Sequence, residues 1–320
     1  MAEPAPGRAE VAEAVRRCAG RLRRTPVVEV ETPAGPILLK LETLQHVGVF
    51  KARGAMNTLL AARDLPRGVV AASGGNHGAA VAWAARALGA SARIYVPEIS
   101  TPAKIARIRD LGAEVVVGGA RYADAAEAAA RFQAETGALD VPAFDAALTM
   151  AGQGTLAAEF EAQAQPFGGL DALLLGVGGG GLIAGCAAWI AGSVAVVGVE
   201  TEGCAALNAA LAAGAPTDVQ VSGIAADSLG ARRIGAGCFD VCRRAGVTGV
   251  TVTDADVRAA QAWLWSELRV AAEPGGAAAL AAVLSGAWTP PAGARAGVAV
   301  CGANLDPADL APGGAAGPAV

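Results

Sequence analysis

Short apolar runs separated by helical stretches constrain this chain most. Residues 69–72, 92–96 and 114–117 read as strands, with 77–88 and 102–111 as helices between them. Thr101-Pro102 opens the second of these helices as a cap followed by proline at the first helical position. The pattern resumes with strands at 172–177, 194–199 and 298–301 and helices at 182–191, 254–270 and 275–284. A strand that is apolar along its whole length is buried on both faces, and this is the mark of a parallel sheet covered by helices. Two clusters, roughly 68–144 and 150–304, therefore predict two α/β domains with a site between them. At 320 residues the chain is long enough for two such cores. Further helices are expected at 9–18, 50–63, 122–135 and 154–163, and a short strand at 37–41.

Composition excludes several classes. Hydrophobic residues make up 53% and charged residues 17%, which no disordered, solvating chain shows. No unbroken apolar run reaches the ~18 residues of a membrane span. A net charge of −4 with no basic face argues against nucleic acid. The six cysteines form no CxxC pair, and His46 and His77 are the only histidines, so no zinc spacing is present. The N-terminus lacks a signal-peptide apolar region. A reduced cytoplasmic protein acting on a small molecule is expected.

Three segments carry chemistry. Gly176-Val177-Gly178-Gly179-Gly180-Gly181-Leu182 follows an apolar strand and opens a helix. Glycines let backbone N–H groups converge on an anion at the helix N-terminus, and a phosphate suits that place. A flexible turn is the plainer alternative. Glu200, about 20 residues on, also keeps a nicotinamide dehydrogenase open on this motif alone. Ser73-Gly74-Gly75-Asn76-His77-Gly78 is a second loop of this kind, with polar side chains added; a capped turn with a satisfied histidine is its plainer alternative. Two anion-suited loops fit a ligand with two anionic ends, or a ligand and a cofactor. Lys51 is one of only three lysines, with Lys40 and Lys104. Arg53 and apolar neighbours could lower its pKa, which suits covalent amine chemistry; a solvated surface charge is the alternative.

Read together, these segments resemble the fold-type II pyridoxal-phosphate enzymes, in the branch of serine/threonine dehydratases and serine racemases. The chain carries in order Lys40 to Ala55, Ser73 to His77, Ala151-Gly152-Gln153-Gly154-Thr155, Gly178 to Gly181, Glu273-Pro274 and Cys301-Gly302-Ala303-Asn304. The resemblance covers about 25–306. It implies the tryptophan synthase β-like fold, with pyridoxal 5'-phosphate in the interdomain cleft. A large domain would comprise 1–67 and 146–307, a small domain 68–145, and a disordered tail 308–320. By the same resemblance Lys51 is the Schiff-base lysine and general base, and Phe50 beside it also binds the cofactor. Asn76 meets the phenolic oxygen of the ring. Gly178, Gly179, Gly180, Gly181 and Leu182 hold the phosphate, Glu273 lines the cleft, and Cys301 faces the pyridine nitrogen. Ser73, Gly74, Gly75, Asn76 and His77 hold the substrate carboxylate. The implied reaction is α,β-elimination from L-threonine, L-serine or a related β-hydroxy amino acid, giving a 2-oxo acid and ammonia. A homodimer is implied as well.

Departures from the family pattern qualify this. Val49 stands where a serine is usual. Gly74 stands where racemases carry a second serine as acid/base on the opposite face, which favours one-sided elimination over racemisation. Gly75-Asn76-His77 differs from the pattern of the β-replacement enzymes. Glu200 matches a carboxylate of the cation-binding members, but its partner aspartate falls near Ala206, so no metal of that type is expected. A strand-end surface carboxylate is the other reading of Glu200. The chain ends soon after Asn304, so feedback of the biosynthetic threonine dehydratase type is not expected.

Overall fold

The computed structural model describes residues 5–305 except 63, 64 and 66. The tail expected at 308–320 lies outside the described residues. Ten strands form two sheets among those residues. They are β1 (Val27–Thr32), β2 (Gly35–Leu41), β3 (Val69–Ala72), β4 (Ala92–Val96), β5 (Glu114–Val117), β6 (Leu139–Asp140), β7 (Ala172–Gly176), β8 (Ala195–Thr201), β9 (Thr248–Val252) and β10 (Ala296–Val300). One sheet runs β1-β2-β10-β7-β8-β9 and the other β5-β4-β3-β6. All pairings are parallel except the β1–β2 hairpin.

The apolar strands are buried on both faces, as a parallel sheet demands. In β2, Leu38 enters one core, while Ile37, Leu39 and Leu41 enter another. In β7, Leu173 and Leu175 join the first core and Leu174 the second. Alternate side chains thus serve helices on opposite sides of the larger sheet. A third core, with Val69, Ile94 and Val96, fills the smaller sheet.

Three differences from the sequence reading stand out. β1 was not expected, because Val-Val-Glu-Val-Glu-Thr is a half-exposed edge strand with no apolar run. The helix expected at 154–163 spans Ala147–Ala164. Helices Ala206–Ala213 and Ala236–Arg244, and strand β9, occupy a stretch whose apolar pattern predicts no element.

The helix Lys51–Ala61 is pinned by close packing. A Cβ at Gly152 would lie 2.7 Å from the Cα of Gly54 and 2.8 Å from the carbonyl oxygen of Arg53. Gln153 Oε1 accepts from the Gly54 N–H at 3.2 Å. The Ala151–Thr155 segment therefore fixes the helix that presents Lys51. Beneath it, Arg53 donates twice to Glu42, at 2.7 Å each, and both residues are buried. Glu159 joins Arg53 to Lys40, whose ammonium also donates to Thr25 O at 2.8 Å.

Candidate active site

The three lysines differ in company. Lys40 pairs with Glu159 and Lys104 with Asp227. Lys51 is the lysine with no carboxylate ion pair among the described residues. Its Nζ donates to Ala143 O at 2.7 Å and lies 5.3 Å from the centre of the Phe50 ring. Burial pushes its pKa down to about 8 against the weaker pull of Cys238, Cys301 and Glu273. Arg53, expected to depress it, does not: two residues on along a helix it faces another way, and its charge is met by Glu42 and Glu159.

Both loops sit where parallel strands end and helices begin. β7 ends at Gly176, and the helix Gly181–Ile190 follows. Gly180 has φ +93°, a left-handed conformation that favours glycine. Its Cβ would stand 2.7 Å from Ile234 Cγ1 and 2.9 Å from Cys238 Cβ. Gly179 and Gly181 have Phe144 against them, and Gly179 O accepts from the Gly235 N–H at 3.1 Å. The loop is therefore a bare backbone cradle, and its helix starts with N–H groups that have no intrahelical acceptor. β3 likewise leads through Ser73–Gly75 into the helix Asn76–Ala87, with Ser73 Oγ accepting from the Gly75 N–H at 3.3 Å.

The remaining expected residues meet across the two sheets. Asn76 Nδ2 donates to Glu273 Oε1 at 2.7 Å, and Asn304 Nδ2 donates to Asn76 Oδ1. Burial raises Glu273 to about 7, with the Asn76 hydrogen bond opposing. Cys301 is buried, and its thiol donates to Gly275 O at 3.4 Å. Burial pushes that thiol well above its usual range, which keeps it neutral. His77 is buried and turned to Val141 O at 2.7 Å. Burial and the nearby Lys51 push it down to about 3, so the ring is neutral with its Nε2 proton on that carbonyl.

Two residues were missed. Arg107 donates to Asn304 Oδ1, and its other amino group donates to Val47 O at 2.6 Å. Ser100 has its hydroxyl where a Cβ at Gly74 would stand. Neither belongs to a spacing motif; only the fold brings them in. Glu200 also needs correction, since it is wholly buried rather than at the surface. Its Oε1 accepts from the Leu207 N–H at 2.8 Å, and its Oε2 from the Asn208 N–H and Nδ2 at 2.9 Å each. It thus caps the helix Ala206–Ala213, although burial still raises it to about 7. Among the described residues no cluster of three metal-type ligands occurs, and no helix is long and apolar enough to cross a membrane.

Residues 19–302 match the family of pyridoxal-phosphate dependent enzymes. The chain is 38% identical over 299 residues to the phenylserine dehydratase of Ralstonia pickettii, covering 91% of this chain and 90% of that one. It is 35% identical to the L-threonine ammonia-lyase of Geobacter sulfurreducens, over 92% of this chain and 75% of that one. Among solved structures it superposes on maize serine racemase with a TM-score of 0.89 at 31% identity, covering 96% of each chain. A threonine deaminase from T.th. gives 0.86 at 36% identity, over 94% of this chain and 99% of that one.

Proposed function

This chain belongs to the pyridoxal-phosphate dependent enzymes of fold type II, and on that premise we propose that it is a lyase for a neutral β-hydroxy amino acid. The substrates in this reading are L-threonine, L-serine or a close relative, and the products are a 2-oxo acid and ammonia. Its cofactor is pyridoxal phosphate, which when bound supplies an electron sink for the substrate α-carbon. The observation that carries the reading is Lys51, a half-buried amine with no carboxylate ion pair among the described residues, whose Nζ is held by Ala143 O beside the two loops that open helices.

Each group then has a task. The N–H groups of Gly178–Gly181 and Leu182 receive the phosphate. The start of the helix Asn76–Ala87, with Ser73, receives the substrate carboxylate. Lys51 holds the cofactor and, when neutral, takes the α-proton on Nζ. Cys301 would stand toward the ring nitrogen of the bound cofactor, where its neutral thiol would supply no charge and so favour elimination. Water lost in the elimination returns in the later hydrolysis, so the net products are the 2-oxo acid and ammonia. Cytoplasmic location and a homodimer complete the reading; six buried free cysteines suit a reducing compartment. Purified holoenzyme given a panel of hydroxy amino acids should release 2-oxo acid from at least one of them. No release from any member would overturn the proposal.

The pKa of Lys51 sets a pH test. At pH 7 an amine titrating near 8 has roughly 300-fold more neutral form than one at the ordinary 10.5. Covalent loading of pyridoxal phosphate onto the apo-protein, followed by absorbance, should quicken about tenfold per pH unit and level off near pH 8. A rise that continues to pH 10 would show an unperturbed lysine.

Racemisation is the competing outcome on this scaffold. The sequence alone suggests that Gly74→Ser would promote it. The structure adds that Ser100 occupies that space. Gly74→Ser alone should therefore lower thermal stability and yield little D-serine from L-serine. Combined with Ser100→Gly it should yield several-fold more D-serine than the single variant, by chiral chromatography. Equal yields from the single and double variants would mean that Ser100 does not crowd position 74.

A further inference from the structure

A cavity of about 230 Å³ lies between the helix Tyr122–Thr136 and the segment that follows β6. Ala126, Ala129 and Ala130 line it at i, i+3 and i+4, one face of that helix. Ala72, Ala143 and Phe144 form the opposite wall. These last three tie the cavity to the site. Ala143 O accepts from Lys51 Nζ, Phe144 packs on Gly179 and Gly181, and Ala72 precedes the Ser73 loop. Lys51 and the Ser73 loop do not line this space themselves, so Ala72, Ala143 and Phe144 are its connection to a substrate held by its carboxylate at that loop with its α-carbon at Lys51.

We infer that the cavity receives the β-substituent of the substrate, and that the preferred substrate is a β-aryl β-hydroxy amino acid rather than serine or threonine. The inference rests on the lyase reading above. A dry apolar cavity of roughly 150 Å³ holds benzene; this pocket is larger, though open to solvent on one side and lined by Tyr122 and Gln133 as well, so by volume a phenyl ring fits it while a hydrogen or methyl group leaves it mostly unfilled. The short alanine side chains on the helix provide that room. Asp140 is exposed on its lining and repels an anionic substituent, which leaves a neutral ring.

The test is the kcat/KM of holoenzyme for L-threo-phenylserine, L-threonine and L-serine, by 2-oxo acid release. Phenylserine should exceed serine by tenfold or more. Ala126→Leu, which fills the cavity, should cut the phenylserine-to-serine ratio by tenfold or more, chiefly through KM. Ala130→Leu, at an exposed position that folding tolerates, should shift the ratio in the same direction. Turnover of serine or threonine without phenylserine, or a ratio unmoved in both variants, would overturn the inference while the lyase reading stood. No 2-oxo acid from any of the three would remove both.

Discussion

Lys51→Ala should abolish 2-oxo acid release, with kcat/KM falling by roughly 10³-fold or more, because in the proposed reading the variant loses both the cofactor anchor and the general base. Among the described residues no other lysine is placed to take over. Lys40 is held by Glu159 and Thr25 under the sheet, and Lys104 is paired with Asp227. His77, a further basic side chain in this region, has its Nε2 proton on the Val141 carbonyl and resists protonation at neutral pH. Borohydride reduction of the unmodified holoenzyme, followed by peptide mapping, should place the pyridoxyl group on Lys51. In Lys51→Ala it should mark no lysine. A label on Lys40 or Lys104 in the unmodified protein would refute the assignment, whatever the activity of the variant.

Gly180→Val should have the next largest effect, felt in cofactor binding before catalysis. The valine would need φ near +93°, and its Cβ would press on Ile234 and Cys238. Left-handed strain and overpacking together cost about 3 kcal/mol. The loop relieves that cost by leaving its position, so restoring it for the phosphate should weaken cofactor binding by roughly a hundredfold. Fluorescence titration of the apo-protein with pyridoxal phosphate measures this. Gly118→Ala is the control, since its Cβ would meet nothing within 4 Å and its φ is not in the left-handed range. Equal affinities in the two variants would show that the glycine loop has another role.

How far the sequence exposes this arrangement depends on the kind of contact. β3, β4 and β5 are legible to the residue, because a buried parallel strand is a short apolar run between turn signals. β1 and β9 are edge strands with exposed positions, and their runs are too weak to separate from loop. The glycine loop and the Ser73 loop declare themselves as strand–turn–helix junctions. Lys51 does not: as a single lysine it is indistinguishable from a surface charge until its neighbours match a family or the fold shows its enclosure. Arg107, Asn304, Asn76 and Glu273 form a chain across the cleft from four distant segments, so no local spacing encodes it. Ser100 is hidden for the same reason. Its place beside Gly74 depends on the loop after β4, which the strand pattern does not specify.

The most direct measurement of the central claim is the fate of one L-hydroxy amino acid in a closed reaction. Holoenzyme is incubated with L-serine, and with L-threo-phenylserine in parallel, while ammonia, 2-oxo acid and the D-enantiomer are quantified from the same samples. Elimination from one face predicts one ammonia per 2-oxo acid and only traces of D-enantiomer. Abundant D-enantiomer with little oxo acid would make the protein a racemase and contradict the account.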